Sequence, residues 1–277
     1  FLLLVGAAVV VVVNGAAVEP ATTENPAAER AELLTTSTAS VEYALAVPGD
    51  PPPWTTDAAA THRRTAHGTL AELLAEAAMS RVSFDDHRLS RVGDGFERHV
   101  AATTRNRLHE RGRRTAVRAH WEPYRGAPLD ATMRVGERPP PSADVDAATT
   151  SVASPAPVTT DELQRVAETS GYRGVAAVVA GAVVDGLFPP QQAQLALDGD
   201  YPADRLMTRR YRRMGALARA GELSVESTSA SELNADLTAA LTERFATDME
   251  GRFDSPEAAA DAVRTSNVSV TVRTWEP

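Results

Sequence analysis

Hydrophobic positions recur along most of the chain with a period that identifies the element. Leu233, Leu237, Leu241, Phe245, Met249 and Phe253 fall at a spacing of four, supported by Ala230 and Ala240, and predict an amphipathic helix. Leu70, Leu73, Leu74, Ala77 and Ala78 form one apolar stripe and predict another. A third opens at Asp94 or Gly95, buries Phe96, Val100, Thr104 and Leu108, and is expected to end at Gly112. Thr160-Asp161 starts a helix carrying Leu163, Val166 and Ala167, and Tyr172 to Phe188 holds the apolar run Val175 to Val184. That run is too short to span a bilayer and Asp185 bounds it, so it predicts a buried core helix ended by Pro189-Pro190. Pro202 to Arg219 reads as a charged helix with Leu206, Tyr211, Met214 and Leu217 as its apolar positions. Ser255-Pro256-Glu257 supplies a cap, a first-turn proline and an early acid for a short helix.

Elsewhere the period is two. Val41 to Val47 alternates as a half-buried strand, closed by Pro48-Gly49-Asp50 and the stiff Pro51-Pro52-Pro53. Ala116 to Trp121 sets Val117, Ala119 and Trp121 against Ala116, Arg118 and His120. Leu129, Ala131, Met133 and Val135 alternate after a turn rich in proline and glycine, which predicts an antiparallel pair. Val268, Val270 and Val272 mark a last strand. Its Val272-Arg273-Thr274-Trp275-Glu276-Pro277 echoes Val117-Arg118-Ala119-His120-Trp121-Glu122-Pro123, and two aromatic-ended strands in one sheet explain the echo without duplication.

The first eighteen residues, Phe1 to Val18, have no period at all. They are apolar save for Asn14, and as a helix they cover about 27 Å, just short of a ~30 Å hydrocarbon core. The expectation is a membrane anchor at 1–18 with more apolar residues before Phe1; the h-region of a signal peptide and a buried core helix or strand are the competing readings. Between Glu19 and Asp57, Glu19, Glu24, Glu29, Glu32, Glu42, Asp50 and Asp57 face one cation, Arg30, so this flank reads as external. The sequon Asn267-Val268-Ser269 agrees, since only an external asparagine is glycosylated. The expected layout is the anchor at 1–18, a linker or stalk at 19–40, a first α+β half at 41–137, a linker at 138–158 and a helix-rich second half at 159–277. The fold class is α+β: an N-terminal hydrophobic helix, then a helix-rich external domain with a small antiparallel sheet.

Composition narrows the chemistry. Cysteine is absent, which removes disulfides, thiolate metal sites and cysteine nucleophiles. Lysine and isoleucine are also absent, so all 28 cations are arginine against 37 acids; a GC-rich genome or a salt-rich host accounts for that bias. A net charge of −9 disfavours nucleic acid as a general partner. No nucleophile elbow, P-loop or dinucleotide fingerprint occurs, so no catalytic, cofactor or metal residue is assigned. Asp85-Asp86-His87 offers metal-type ligands without a metal-site pattern, and Asp198-Gly199-Asp200 reads as a turn rather than a calcium loop. His62, His67, His87, His99, His109 and His120 lack the i, i+4 pairing of a zincin. Arg209-Arg210-Tyr211-Arg212-Arg213 is the densest charge cluster, suited to phosphates, an acidic partner or lipid headgroups, or simply a solvated helix face.

Several stretches together resemble an uncharacterised family of haloarchaeal membrane-anchored proteins. They are the opening apolar run, Val117 to Tyr124, Gly186-Leu187-Phe188-Pro189, Tyr211-Arg212-Arg213 and Val270 to Trp275. Such proteins are similar to pilins and pseudopilins in having a short leader, an N-terminal hydrophobic helix and an external α+β head. The resemblance implies a non-enzymatic surface protein in a pilus-like or secretion assembly, with membrane lipid and other subunits as partners. Its processing site would lie before Phe1, and the glutamate common early in bacterial pilin helices is not seen. A membrane-anchored hydrolase using paired carboxylates, or a ligand-binding module, is the alternative.

Overall fold

The alternating segments build an antiparallel sheet, and the four-spaced segments build the helices that cover one of its faces and extend from one of its ends. The computed structural model describes residues 25–45, 47, 62–109 and 112–277; the expected anchor at 1–18 lies outside them. The order is α1 (Pro26–Thr36), β1 (Thr38–Ala44), β2 (Arg63–Thr69), α2 (Leu70–Met79), β3 (Ser83–Phe84), β4 (His87–Arg88), α3 (Asp94–Leu108) and β5 (Arg114–Trp121). Then come β6 (Leu129–Val135), β7 (Asp146–Ala153), α4 (Thr160–Leu187), α5 (Pro190–Leu197), α6 (Ala203–Ala218), α7 (Ala230–Arg252), α8 (Pro256–Asp261) and β8 (Asn267–Trp275). The fold is α+β.

The main sheet has the order β4-β3-β6-β5-β8-β7, every pair antiparallel, and β1 with β2 forms a separate two-stranded ribbon. It is therefore larger than the small sheet expected. Two of the added strands, β3 and β4, are only two residues long, and the third lies in the stretch read as a linker. That stretch, 138–158, contains β7, an edge strand that pairs along its whole length with β8, from Asp146↔Thr274 to Ala153↔Asn267. The predicted pair of β5 and β6 is present, in the register Val117↔Val135 to Trp121↔Ala131. β8 lies on the other side of β5, so the two strands with similar sequences are neighbours, Val117 opposite Val272.

The inner face of the sheet presents Val117, Ala119, Trp121, Ala131, Met133, Val135, Val268, Val270 and Val272, all buried. Helices α1 and α2 pack on these strands, and α3 packs on α2, β6 and β1. Burying one valine or leucine here contributes about 1.5–3 kcal/mol. Helix α1 occupies part of the expected stalk at 19–40, but Ala27, Ala31 and Leu34 are buried, which makes it a core helix instead. Helix α2 starts at a capping box in which Thr69 and Glu72 satisfy each other's backbone N–H groups. Helix α3 ends at Leu108 rather than at Gly112, which sits at a φ of +88° just before β5. The buried Glu97 ties this corner together: Arg81 (2.5 Å), Arg88 (2.6 Å) and Ser80 (3.0 Å) all donate to it.

The helical half is organised by α4 packed along α7. Leu233, Leu237, Leu241, Phe245 and Met249 are buried, as the spacing of four requires. Val175, Val179, Val183 and Val184 of α4 meet them as the predicted core helix, beyond a kink at Gly171. In α6 the buried positions are Tyr211, Met214, Gly215 and Ala218; Leu206 and Leu217 are only half-buried. A buried Asn234 locks three elements together, accepting from the Tyr211 hydroxyl (2.7 Å) and donating to the Phe188 carbonyl (2.7 Å). No single helix among the described residues is long and apolar enough to cross a membrane; α4 and α5, bent by 45°, meet the length and composition only together.

The helical half meets the sheet at its β3/β4 end and the β5–β6 turn. Tyr124, buried in that turn, stands edge-on to Phe245 at 5.4 Å and bridges to Val263. Arg244 of α7 lies over Phe84 and donates to Asp85 at 2.8 Å. The Trp121 indole donates to the Thr265 carbonyl at 2.8 Å. Among the described residues, the helices that pack on the sheet, α1 and α2, lie on its inner face, and the other face is left open.

Candidate functional site

The open face follows from the alternation that buries the other. Every residue between two core positions of β5, β6, β7 or β8 points to it, and the register arranges those residues in rows across the strands. One row runs Thr132, His120, Ser269, Ser151; the next runs Arg134, Arg118, Thr271, Thr149. Arg134 and Thr149 are exposed and the others partly so. Asp130 of β6 and Glu122, just past β5, add carboxylates at one end.

Hydrogen bonds link the first row to the carboxylates. Asp130 accepts from the Ser83 hydroxyl at 2.8 Å and from the Thr132 hydroxyl at 3.2 Å. A threonine has one hydroxyl proton, and Thr132 gives its own to Asp130, so its oxygen must accept from His120 Nδ1 at 2.9 Å. That fixes the tautomer: Nδ1 carries the proton in the neutral ring, and Nε2 keeps a lone pair 3.9 Å from Glu122. Burial and then the Arg118 charge hold the His120 pKa below the ordinary histidine value, against Glu122 and Asp130, which raise it.

Nε2 faces a cleft of about 470 Å³ whose walls include Glu122, Ser151, Leu163, Arg264, Asn267 and Ser269. Helices α4 and α8 supply the far wall. The arrangement offers a neutral proton acceptor beside a carboxylate. It does not form a serine–histidine dyad, because the Ser269 hydroxyl donates to the His120 carbonyl at 3.1 Å. A second, shallower hollow of about 550 Å³ lies between α4 and α7, around Asp185, Asn234 and Thr238.

The residues singled out in the sequence go elsewhere. Asp85 and Asp86 take left-handed φ values of +46° and +63° to turn β3 into β4, and His87 Nδ1 lies 2.6 Å from the Asp85 carbonyl. Asp198-Gly199-Asp200 is the turn between α5 and α6. Of the other histidines, only His62 is partly buried, edge-on to Tyr201; His67, His99 and His109 are exposed. Among the described residues no three histidine or carboxylate side chains converge on a metal-sized site. Arg210 lies over the Phe188 ring at 5.1 Å, and its burial lowers its pKa. Arg205, Arg209, Arg212 and Arg213 are exposed, with Arg212 paired to Glu226. Alternation had put His120 and Arg118 on the outward side of their strand; what it could not supply was the register that sets Thr132 and Arg134 beside them.

Comparison with known proteins gives one match. A family model described as a family of unknown function (DUF7284) covers residues 1–275. No curated protein and no solved structure matches the chain.

Proposed function

The chain belongs to the DUF7284 family, and because no activity comes with that membership we propose one from residues and geometry: a membrane-tethered, non-enzymatic surface protein whose head contacts other subunits of a pilus-like or secretion assembly. In this reading residues 1–18 are an N-terminal hydrophobic helix in membrane lipid, and the acidic flank from Glu19 to Asp57 keeps the head outside. The resemblance to haloarchaeal membrane-anchored, pilin-like proteins supports the same assignment.

The observation that carries the assembly role is a row of exposed arginines on α6 set apart from a group of exposed acids around α8. Arg165, Arg173 and Arg252 also stand near those acids, and Glu222 and Glu226 near those arginines. At 100° per residue, Arg205, Arg209, Arg212 and Arg213 lie within about 100° of one another on the exposed side of α6. Near the start of α4, Glu168 and, around α8, Glu250, Asp254 and Glu257 are exposed. Tyr172 marks that acidic end, its hydroxyl donating to the Phe253 carbonyl, and Phe188 marks the basic end, stacked on Tyr211 at 4.4 Å. About 24 Å of helix separates them. Opposite charges at opposite ends suit a head-to-tail contact between copies, the kind that grows into an open filament when its rotation does not close.

Charge reversal tests the head, with the full chain in detergent micelles at low salt. Arg209→Glu with Arg213→Glu is expected to reduce self-association at least tenfold by sedimentation, and Glu250→Arg with Glu257→Arg to do the same. Combining all four should restore it. Single-end reversals that leave association unchanged sink the polarity argument. Deleting residues 1–18 tests the tether: a soluble, folded head is expected, and an aggregate would return the apolar run to the core.

A second reading, a ligand-binding module, is favoured by the open sheet face with its ordered His120 tautomer. For a hydrolase, Asp130 and Glu122 are the carboxylates nearest His120 on this face, and Asp130 already accepts from Ser83 and Thr132.

A further inference from the structure

Arg118 and Arg134 stand directly opposite each other on β5 and β6. On the open face of an antiparallel pair their Cβ atoms are about 5 Å apart, and like charges so placed destabilise the sheet. The chain has 37 acidic side chains with which to relieve the opposition. Yet among the described residues no carboxylate forms an ion pair with either arginine; the nearest in the strand, Asp130, is held by Ser83 and Thr132. The Arg118 Nε–H is sealed from solvent without a hydrogen-bond partner, which costs about 1–3 kcal/mol if it stays so.

The surroundings complete a seat. Thr271 continues the row beyond Arg118 and Thr149 lies beyond it, their hydroxyls 3.0 Å apart, so the next positions on the Arg118 side are neutral hydroxyl groups. Arg138, shortly after β6, adds positive charge: burial first, then Arg118 and Arg138, lower the Arg134 pKa, and Asp130 only partly offsets them. Guanidinium forks bind planar or tetrahedral oxyanions through paired N–H groups, and two of them facing one another match a dianion.

We propose that Arg118 and Arg134 form an oxyanion-binding site on the open face of the sheet, with a phosphate group as its ligand chemistry. The bound group adds negative charge to what Asp130 supplies to Arg134 from a distance, without an ion pair. Its source is either a soluble phosphorylated molecule or a phospholipid headgroup, and both present the same oxygens to the same forks. This site goes beyond the assembly role and stands without it.

The test is a titration of the full chain in uncharged detergent, at constant ionic strength, with inorganic phosphate and separately with soluble short-chain phosphatidylglycerol. Saturable binding is expected for the wild type, at least tenfold weaker in Arg118→Gln and in Arg134→Gln. In chloride alone Arg134→Gln should unfold at the same temperature as the wild type or higher, because the opposed charges are gone; that melt also shows that the variant folds. Phosphate binding alone assigns the site to a soluble ligand, and stronger binding of the lipid assigns it to a headgroup. No binding, or equal binding in wild type and both variants, leaves an adventitious ion only and overturns the proposal.

Discussion

The two faces of the six-stranded sheet are made by the same strands in the same register, and they differ in what they need from a residue. On the inner face Val117, Ala119, Trp121, Met133, Val270 and Val272 are each at most 4% exposed, and the Trp121 indole N–H is the one polar group among these side chains. What matters there is volume. On the outer face His120, Thr132, Asp130 and the two opposed arginines meet each other, and what matters is which atom donates to which. A one-residue slip would exchange the faces, placing Arg118 and His120 in the core. Register is therefore held by the inner face, and the outer face inherits its geometry without contributing much to stability.

That division can be broken from either side. The largest effect should come from Trp121→Ala, which opens a cavity on the inner face and leaves the Thr265 carbonyl without its indole donor; a loss of about 3–5 kcal/mol is expected in urea denaturation. An equal loss from an outer-face substitution would overturn the contrast.

Next is Glu76 on α2, the helix that covers the inner face. Burial pushes its carboxyl up to about 7. A folded-state pKa above the unfolded value means that the native state holds the proton more tightly, so stability falls as pH rises from about 4.5 to 7 and stays lower above that. Glu76→Gln should therefore stabilise the protein at pH 8 by up to about 3 kcal/mol and change little at pH 4. A stability gain that is the same at both pH values would place the cause elsewhere.

The smallest effect is expected from Thr132→Val on the outer face. Stability should change by about 1 kcal/mol or less. The imidazole signals of His120 in NMR should nonetheless report a lower pKa, since the proton on Nδ1 loses its acceptor and the link to Asp130. An unchanged titration would mean that the chain of hydrogen bonds does not hold the ring.

Legibility in the sequence follows the same line. Helices α2, α3 and α7 and strands β5, β6 and β8 could be read because their apolar positions recur at four or two, and each has one face to bury. Strand β7 could not: Ala147-Ala148-Thr149-Thr150-Ser151 is small and mostly polar, with prolines on either side, and reads as a linker. It is a strand because β8 offers it a ladder, and a partner that distant leaves no local mark. Helix α1 hid for a related reason, since the alanines it buries are also what a solvated stalk would use. β2, Arg63-Arg64-Thr65-Ala66-His67-Gly68-Thr69, has no apolar face and pairs only with β1. At the open face, period two gave the direction of Arg118 and His120, but their neighbours across the strands are a property of register. The arginines of α6 were visible as a cluster; that four lie on one side while Arg210 turns onto Phe188 required the helix's neighbours.

The position of β8 has a further consequence, for how the sheet is made. It is the last strand in sequence order and lies between β5 and β7, with Asp146 waiting for Thr274. While a ribosome adds residues at about 5–20 per second, β5 has a bare side and β7 has no strand to pair with until residues 267–275 emerge. A chain held in that state cannot complete the sheet, however early β5 and β6 pair. The small side chains in the middle of β7 then gain a second meaning: they leave the unpaired strand little apolar area exposed during the wait.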